Sequence, residues 1–128
     1  MAELKDVLGI NARNRLFLPT NTHLGRIMAD SKLLTKKKMK KIGIPVPDLY
    51  AVFENLDQVN EYPWEKLEGN FVIKPSRGYA GEGIMMIRRR AKWAGEWILM
   101  DGSKITTADL KLHVADIFAG RYSLPVEF

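Results

Sequence analysis

Apolar positions along the chain follow first a helical rhythm and then an alternating one. Leu34, Met39 and Ile42 recur at helical spacing, and Asp30 or Ser31 can cap the helix this spacing predicts, which runs to about Ile42. Gly43 is a stop signal, and Pro45 and Pro47 prevent continuation. Beyond the prolines, LYAVF, Leu49 to Phe53, reads as a short strand. Asn55 to Leu67 is polar with a few aromatics and predicts a short helix plus a loop. FVIK, Phe71 to Lys74, is a strand that ends at Pro75, and GIMMIR, Gly83 to Arg88, is the next one. In EWILMDGSKI the pair Asp101-Gly102 marks a hairpin turn. Thr106 and Asp109 resemble a capping box, with Asp in the Glu position, for a helix to about Ala119. Leu110, Val114 and Ile117 would be its buried face.

Helices at both ends thus flank a mostly antiparallel set of strands. The order does not repeat β-α-β, so the fold class is α+β and not a doubly wound sheet. The chain has 128 residues, enough for a real core. It divides into an N-terminal segment with a basic helix, residues 1–47, and a strand-bearing part, residues 48–128.

Composition changes this picture little. Hydrophobic residues make up 46% and charged residues 27%, values ordinary for a globular protein. No apolar run approaches the roughly 20 residues of a membrane span, and the N-terminus has no secretory pattern. With no cysteine in the chain, disulfides and thiolate metal sites are excluded. The expected location is the cytoplasm.

Charge changes it more. The net charge of +5 favours an anionic partner, whether phosphate, nucleic acid or acidic peptide. The densest basic run is KLLTKKKMKKIG, Lys32 to Gly43, and the second is IRRRAK, Ile87 to Lys92. A basic nucleic-acid-binding or regulatory interaction module would use Lys36, Lys37, Lys38, Lys40 and Lys41. Against it, no aromatic platform interleaves with these lysines, and charge runs on helices are usually solvated.

The candidate chemistry lies in FVIKPSRGYAGEGIMMI, residues 71–87. Its glycines are spaced G-x-x-G-x-G at Gly78, Gly81 and Gly83. Glycines let backbone N–H groups approach an anion closely. A dinucleotide fingerprint has different spacing and opens a helix. A P-loop ends in Gly-Lys-Ser/Thr. A kinase loop has its lysine on a later strand. None of these fits. What survives is a lysine-bearing strand followed by a β-loop-β flap, beside the plainer reading of a hairpin whose glycines serve only its turn. Lys74 stands between apolar Ile73 and Pro75, in a strand whose neighbours look buried. An unpaired lysine there would be costly, so it is expected to meet an anion, and lysine suits a point-charge phosphate contact.

Other polar residues receive simpler readings. His23 and His113 are far apart and lack nearby ligands, which speaks against a metal role. Trp64, Trp93 and Trp97 read as core or edge packing. Arg88 to Arg90 alternate across a strand, so at least one should face solvent. Arg13 and Arg15 could bind an acidic substrate, but surface solvation is the simpler reading.

VIKP-x-R-G-x-x-G-E-G-I resembles the ATP-grasp signature. ADSKLLTKKKMKKIGIPVPDLYAV resembles the segment that precedes it in that superfamily. NARNR near the N-terminus and LHVADIFAGRYSL near the C-terminus are similar to the alpha-L-glutamate ligase-like, RimK-related branch. The resemblance covers about residues 8 to 124. It implies a partial ATP-grasp fold, with residues 48–128 as the antiparallel β-sheet subdomain that carries the flap. It also implies an ATP-dependent carboxylate–amine ligase working through an acyl phosphate. Lys74 matches the family lysine at the α- and β-phosphates, and Lys32 the earlier phosphate-contacting lysine. Ser76, Arg77, Gly78, Tyr79, Ala80, Gly81, Glu82 and Gly83 match the flap over the β- and γ-phosphates.

ATP and Mg²⁺ are the implied cofactors, and a carboxylate and an amine or peptide acceptor the implied substrates. Tyr79 departs from the small residues usual in that loop. The carboxylates and asparagine that hold Mg²⁺ in the family lie further toward the C-terminus, and no such cluster follows the flap here. The expectation is therefore half of an ATP site, a metal-binding half outside this chain, and no catalysis by residues 1–128 alone. A sheet edge left open would invite self-association.

Overall fold

The computed structural model of the chain describes residues 9–78 and 81–122. The backbone falls into two compact units, Met1–Val46 and Pro47–Phe128.

The first unit is helical: α1 (Ile10–Leu16), a 3-10 turn (Leu18–Thr20), α2 (His23–Asp30) and α3 (Lys32–Lys41). Ser31 makes the corner between the last two. Its N–H donates to the Ile27 carbonyl at the end of α2, and its hydroxyl accepts from Leu34 N–H at 3.3 Å to cap α3. Thr35 donates back to the Met28 carbonyl at 2.7 Å, tying the two helices together. Ser31 is accordingly buried, although it is polar.

α3 closes with Gly43 N–H on Lys40 and Ile44 N–H on Met39, the pair of bonds of a Schellman cap. That cap places Gly43 at φ +82°, which a side chain would resist. The helix boundaries agree with the sequence reading, but its apolar spacing does not make a buried face. Leu34 and Ile42 are exposed, and no residue of α3 is fully buried.

The second unit holds α4 (Leu56–Glu61), a 3-10 turn (Trp64–Lys66), four strands and α5 (Thr107–Phe118). The strands are β1 (Phe71–Ile73), β2 (Met85–Arg90), β3 (Glu96–Leu99) and β4 (Lys104–Thr106). They form one antiparallel sheet in the order β1-β2-β3-β4. Asp101 accepts from both the hydroxyl and the N–H of Ser103 in the β3–β4 turn, and Gly102 takes φ +88° there. The expected capping box is present: Thr106 accepts from Asp109 N–H, and the Asp109 carboxylate accepts from Thr106 N–H at 2.8 Å.

Phe71, Ile87 and Trp97 project from one face of the sheet onto Leu110 and Val114 of α5, with Val59 and Trp64 closing the core. Trp97 is fully buried; its indole N–H donates to Thr107 at 3.0 Å and Phe71 meets its ring edge-on at 5.4 Å. Trp64 donates to the Val59 carbonyl at 2.9 Å inside the core. Trp93, by contrast, is exposed.

Three expectations require correction. Leu49 to Phe53 is not a strand, because no neighbouring strand offers it a ladder. Its apolar character serves packing instead, with Phe53 against Tyr62 and Trp64 at 5.2 and 5.7 Å. β2 begins at Met85, since Gly83 has φ +73° and cannot extend a pleated ladder. Arg88 to Arg90 do not alternate simply. The register slips between Ile87 and Arg89, leaving Arg88 as an extra residue, so Arg89 faces Ile98 and Arg90 faces Trp97. Arg90 then lies over the Trp97 ring at 5.9 Å and donates to the Leu67 carbonyl at 2.9 Å.

Candidate functional site: the exposed sheet face and the glycine loop

Period-two alternation leaves the second face of the sheet exposed, apolar at Val72, Met86 and Ile98 and cationic at Arg89 and Lys104, which flank Ile98 in the register. Val72 pairs with Met86 in the register, and each is about half exposed, at 52% and 53%. Ile98 shares this face and is half-buried. Two residues beyond Val72, Lys74 stands on the same side and is exposed. The burial expected for Lys74 is therefore wrong. Its neighbours Ile73 and Pro75 belong to the covered side, and the alternation sends Lys74 outward. The desolvation argument for an anion falls with it. What replaces that argument is position: a cation at the end of an apolar strip, where the glycine loop starts.

Pro75 is buried and anchors the start of the loop, and Ser76, Arg77 and Gly78 are exposed. Tyr79 and Ala80 lie outside the described residues. Gly81 and Glu82 are exposed, and Gly83 is buried. Gly81 and Gly83 have φ of +79° and +73°, conformations in which glycine avoids the strain a side chain would meet. The second unit thus brings together Lys74, Ser76 to Gly78 and Gly81 to Gly83. Lys32 is in the first unit, at the first position of α3, half-buried.

Among the described residues, the ion pairs are Lys104–Glu96 at 3.5 Å and Arg121–Asp116 at 3.0 Å. None involves Lys74, Arg77, Arg88 or Lys32. Among the described residues these cations have no carboxylate partner, and a phosphate chain is the kind of ligand that would pair with them. The two resolved acidity shifts serve structure instead. The Ser103 hydroxyl and N–H hold Asp101 below its ordinary value, and the Thr106 N–H and hydroxyl do the same for Asp109.

No group of three His, Asp or Glu side chains that could hold a metal ion occurs among the described residues. The described residues thus set exposed cations and the loop glycines beside an apolar strip.

Sequence reasoning missed one part of the site. His113, on α5, donates from Nε2 to the Gly83 carbonyl at 2.8 Å. Tyr122 lies beside it, with ring centroids 5.4 Å apart. A Cβ placed on Gly83 would come within 2.9 Å of the Tyr122 ring. The histidine's residue type alone suggests only a metal ligand. Its partner is 30 residues away, and no local pattern marks the pair.

No helix among the described residues is long and apolar enough to cross a membrane. The sequence matches the model of the family described as sugar-transfer associated ATP-grasp over residues 11–127. A stretch of 58 residues is 38% identical to the phosphoribosylamine–glycine ligase of Archaeoglobus fulgidus. That stretch covers 45% of this chain and only 12% of that protein. No solved structure matches the chain.

Proposed function

Because the chain belongs to the sugar-transfer associated ATP-grasp family, we propose that its second unit binds ATP on the exposed sheet face, as part of an ATP-dependent carboxylate–amine ligase. The observation that carries this reading is Lys74. It stands in line with the Val72–Met86 strip, where the glycine loop opens, with no ion-pair partner among the described residues. Val72, Met86 and Ile98 offer a flat apolar surface to a base. Lys74 meets the inner phosphates, and the backbone of Ser76 to Gly83 covers the outer ones. Lys32 is assigned a second phosphate contact by its resemblance alone.

In the proposed reaction a carboxylate oxygen attacks the γ-phosphorus and ADP leaves, giving an acyl phosphate. An amine then attacks the acyl carbon, losing a proton, and phosphate departs with the C–O bond electrons. This chain's share is positioning and charge neutralisation, the main levers in phosphoryl transfer. ATP-grasp proteins use ATP with Mg²⁺, but the described residues supply no set of ligands for the metal, and no step is assigned through it. Ligation by residues 1–128 alone is not expected, and acceptor-dependent ADP release abolished by Lys74→Ala would overturn that. The glutamate ligase-like choice of substrate rests on resemblance, whereas the matched family's description names sugar transfer.

Titration of Mg-ATP into the wild-type and Lys74→Ala proteins tests the site. Affinity is expected to fall tenfold or more, about 1.4 kcal/mol at least, within the range for truncating one partner of a charge pair. Equal affinities refute it. A nucleic-acid module would instead show binding that collapses with salt and follows the lysines of α3. Self-association through an edge strand also belongs to the proposal. β1 and β4 are the sheet edges, three residues each, and sedimentation over a range of concentrations tests it.

A further inference from the structure

The downstream end of the glycine loop is tied to the helix behind the sheet. His113 is half-buried midway along α5, and its Nε2 lies 2.8 Å from the Gly83 carbonyl oxygen. A carbonyl only accepts, so Nε2 carries the hydrogen and donates. On the other side of the ring the Tyr122 hydroxyl sits 3.5 Å from Nδ1. That distance is long for a hydrogen bond, so the tyrosine acts mainly by packing. Its ring fills the space a Gly83 side chain would need.

The direction of this bond matters. α5 packs on the covered face of the sheet through Leu110 and Val114. The bond therefore turns the Gly83 carbonyl, with its partial negative charge, toward α5. In a trans peptide the N–H of the next residue points the opposite way. That N–H, of Ile84, makes only a 3.4 Å contact with the Gly81 carbonyl, so it remains a donor with capacity for a stronger acceptor. Without the latch this peptide could rotate and present its carbonyl to an anionic ligand.

We infer that His113 is a positioning residue for the phosphate-binding loop, holding the Gly83–Ile84 peptide so that an N–H, and not a carbonyl, faces a nucleoside triphosphate. This rests on the nucleotide reading above. His113 itself touches no phosphate, and it acts through Gly83.

The test compares the wild type with His113→Leu, which lacks the donor, and His113→Gln, whose amide N–H reaches about as far as Nε2. Amide hydrogen exchange over residues 81–86 is measured without nucleotide, and Mg-ATP affinity by calorimetry. His113→Leu is expected to exchange faster in that segment and to bind ATP about fivefold more weakly, the equivalent of one hydrogen bond. His113→Gln is expected to restore both. Wild-type exchange in His113→Leu overturns the latch. Equal losses in both variants overturn it as well, since packing alone would then explain them. If the wild type itself binds no ATP, the nucleotide reading and the positioning role fall together, while exchange still decides whether His113 holds Gly83. Should His113→Leu fail to fold, His113→Ser takes its place, with a hydroxyl too short to span the gap.

Discussion

Gly83→Ala puts the loop anchor under a measurable load. Gly83 has φ +73°, and a side chain in that left-handed region costs roughly 1–2 kcal/mol. The added methyl would also sit 2.9 Å from Cγ and Cδ2 of Tyr122 and 3.0 Å from its Cβ. Rotation about χ1 cannot move that Cβ away, so the backbone or the ring packing must shift. Such overpacking costs about 1–3 kcal/mol, and the two terms together come to about 2–5 kcal/mol. Urea denaturation followed by tryptophan fluorescence is the assay. Trp64, Trp93 and Trp97 all belong to the Pro47–Phe128 unit, so the signal reports that unit. With a urea dependence of about 1.5 kcal/mol/M, a loss of 3 kcal/mol moves the midpoint by roughly 2 M. Tyr122→Ala in the same chain should remove the two 2.9 Å ring contacts and leave the 3.0 Å Cβ contact and the dihedral strain, so the two substitutions should be non-additive by the ring's share. A loss under about 1 kcal/mol for Gly83→Ala, or simple additivity in the double variant, would refute the reasoning.

Other substitutions probe the frame behind the site. Trp64→Phe leaves the Val59 carbonyl without its 2.9 Å donor and should destabilise the unit by about 1–3 kcal/mol, seen as a lower urea midpoint. Thr106→Ala removes the hydroxyl of the α5 cap and should cost about 1 kcal/mol in the same assay. Asp109 accepts from the Thr106 N–H and hydroxyl, which hold its pKa below the unfolded value. Its stabilising effect is thus present above the unfolded value, near pH 4, and lost as pH falls through the lower folded value. The melting temperature of Asp109→Asn should therefore fall less steeply than that of the wild type below about pH 4; parallel curves would contradict this.

What could be read from the chain alone is what neighbours in sequence decide. The Ser31 cap, the Gly43 stop, the Asp101-Gly102 turn and the Thr106–Asp109 box all join residues within three or four positions, so the pattern of residue types names them. The α+β class followed from the same local signals. The ATP-grasp superfamily too was legible, because the lysine, the loop glycines and the segment upstream keep their order and spacing along the chain, whereas the family matched is the sugar-transfer associated one and not the RimK-related branch.

Distant packing decided the rest. Alternation says that Ile73 and Lys74 face opposite sides, but only α5 determines which side is covered, and it covers the side of Ile73. The apolar run Leu49 to Phe53 has strand composition, yet a strand needs a partner, and aromatic contacts took Phe53 instead. The slip at Arg88 arises from pairing two strands whose register no single strand encodes. The hold of His113 on Gly83 exists because a helix and a loop 30 residues apart meet behind the sheet. Contacts of that kind depend on how elements stack, and only the folded chain brings their partners within reach.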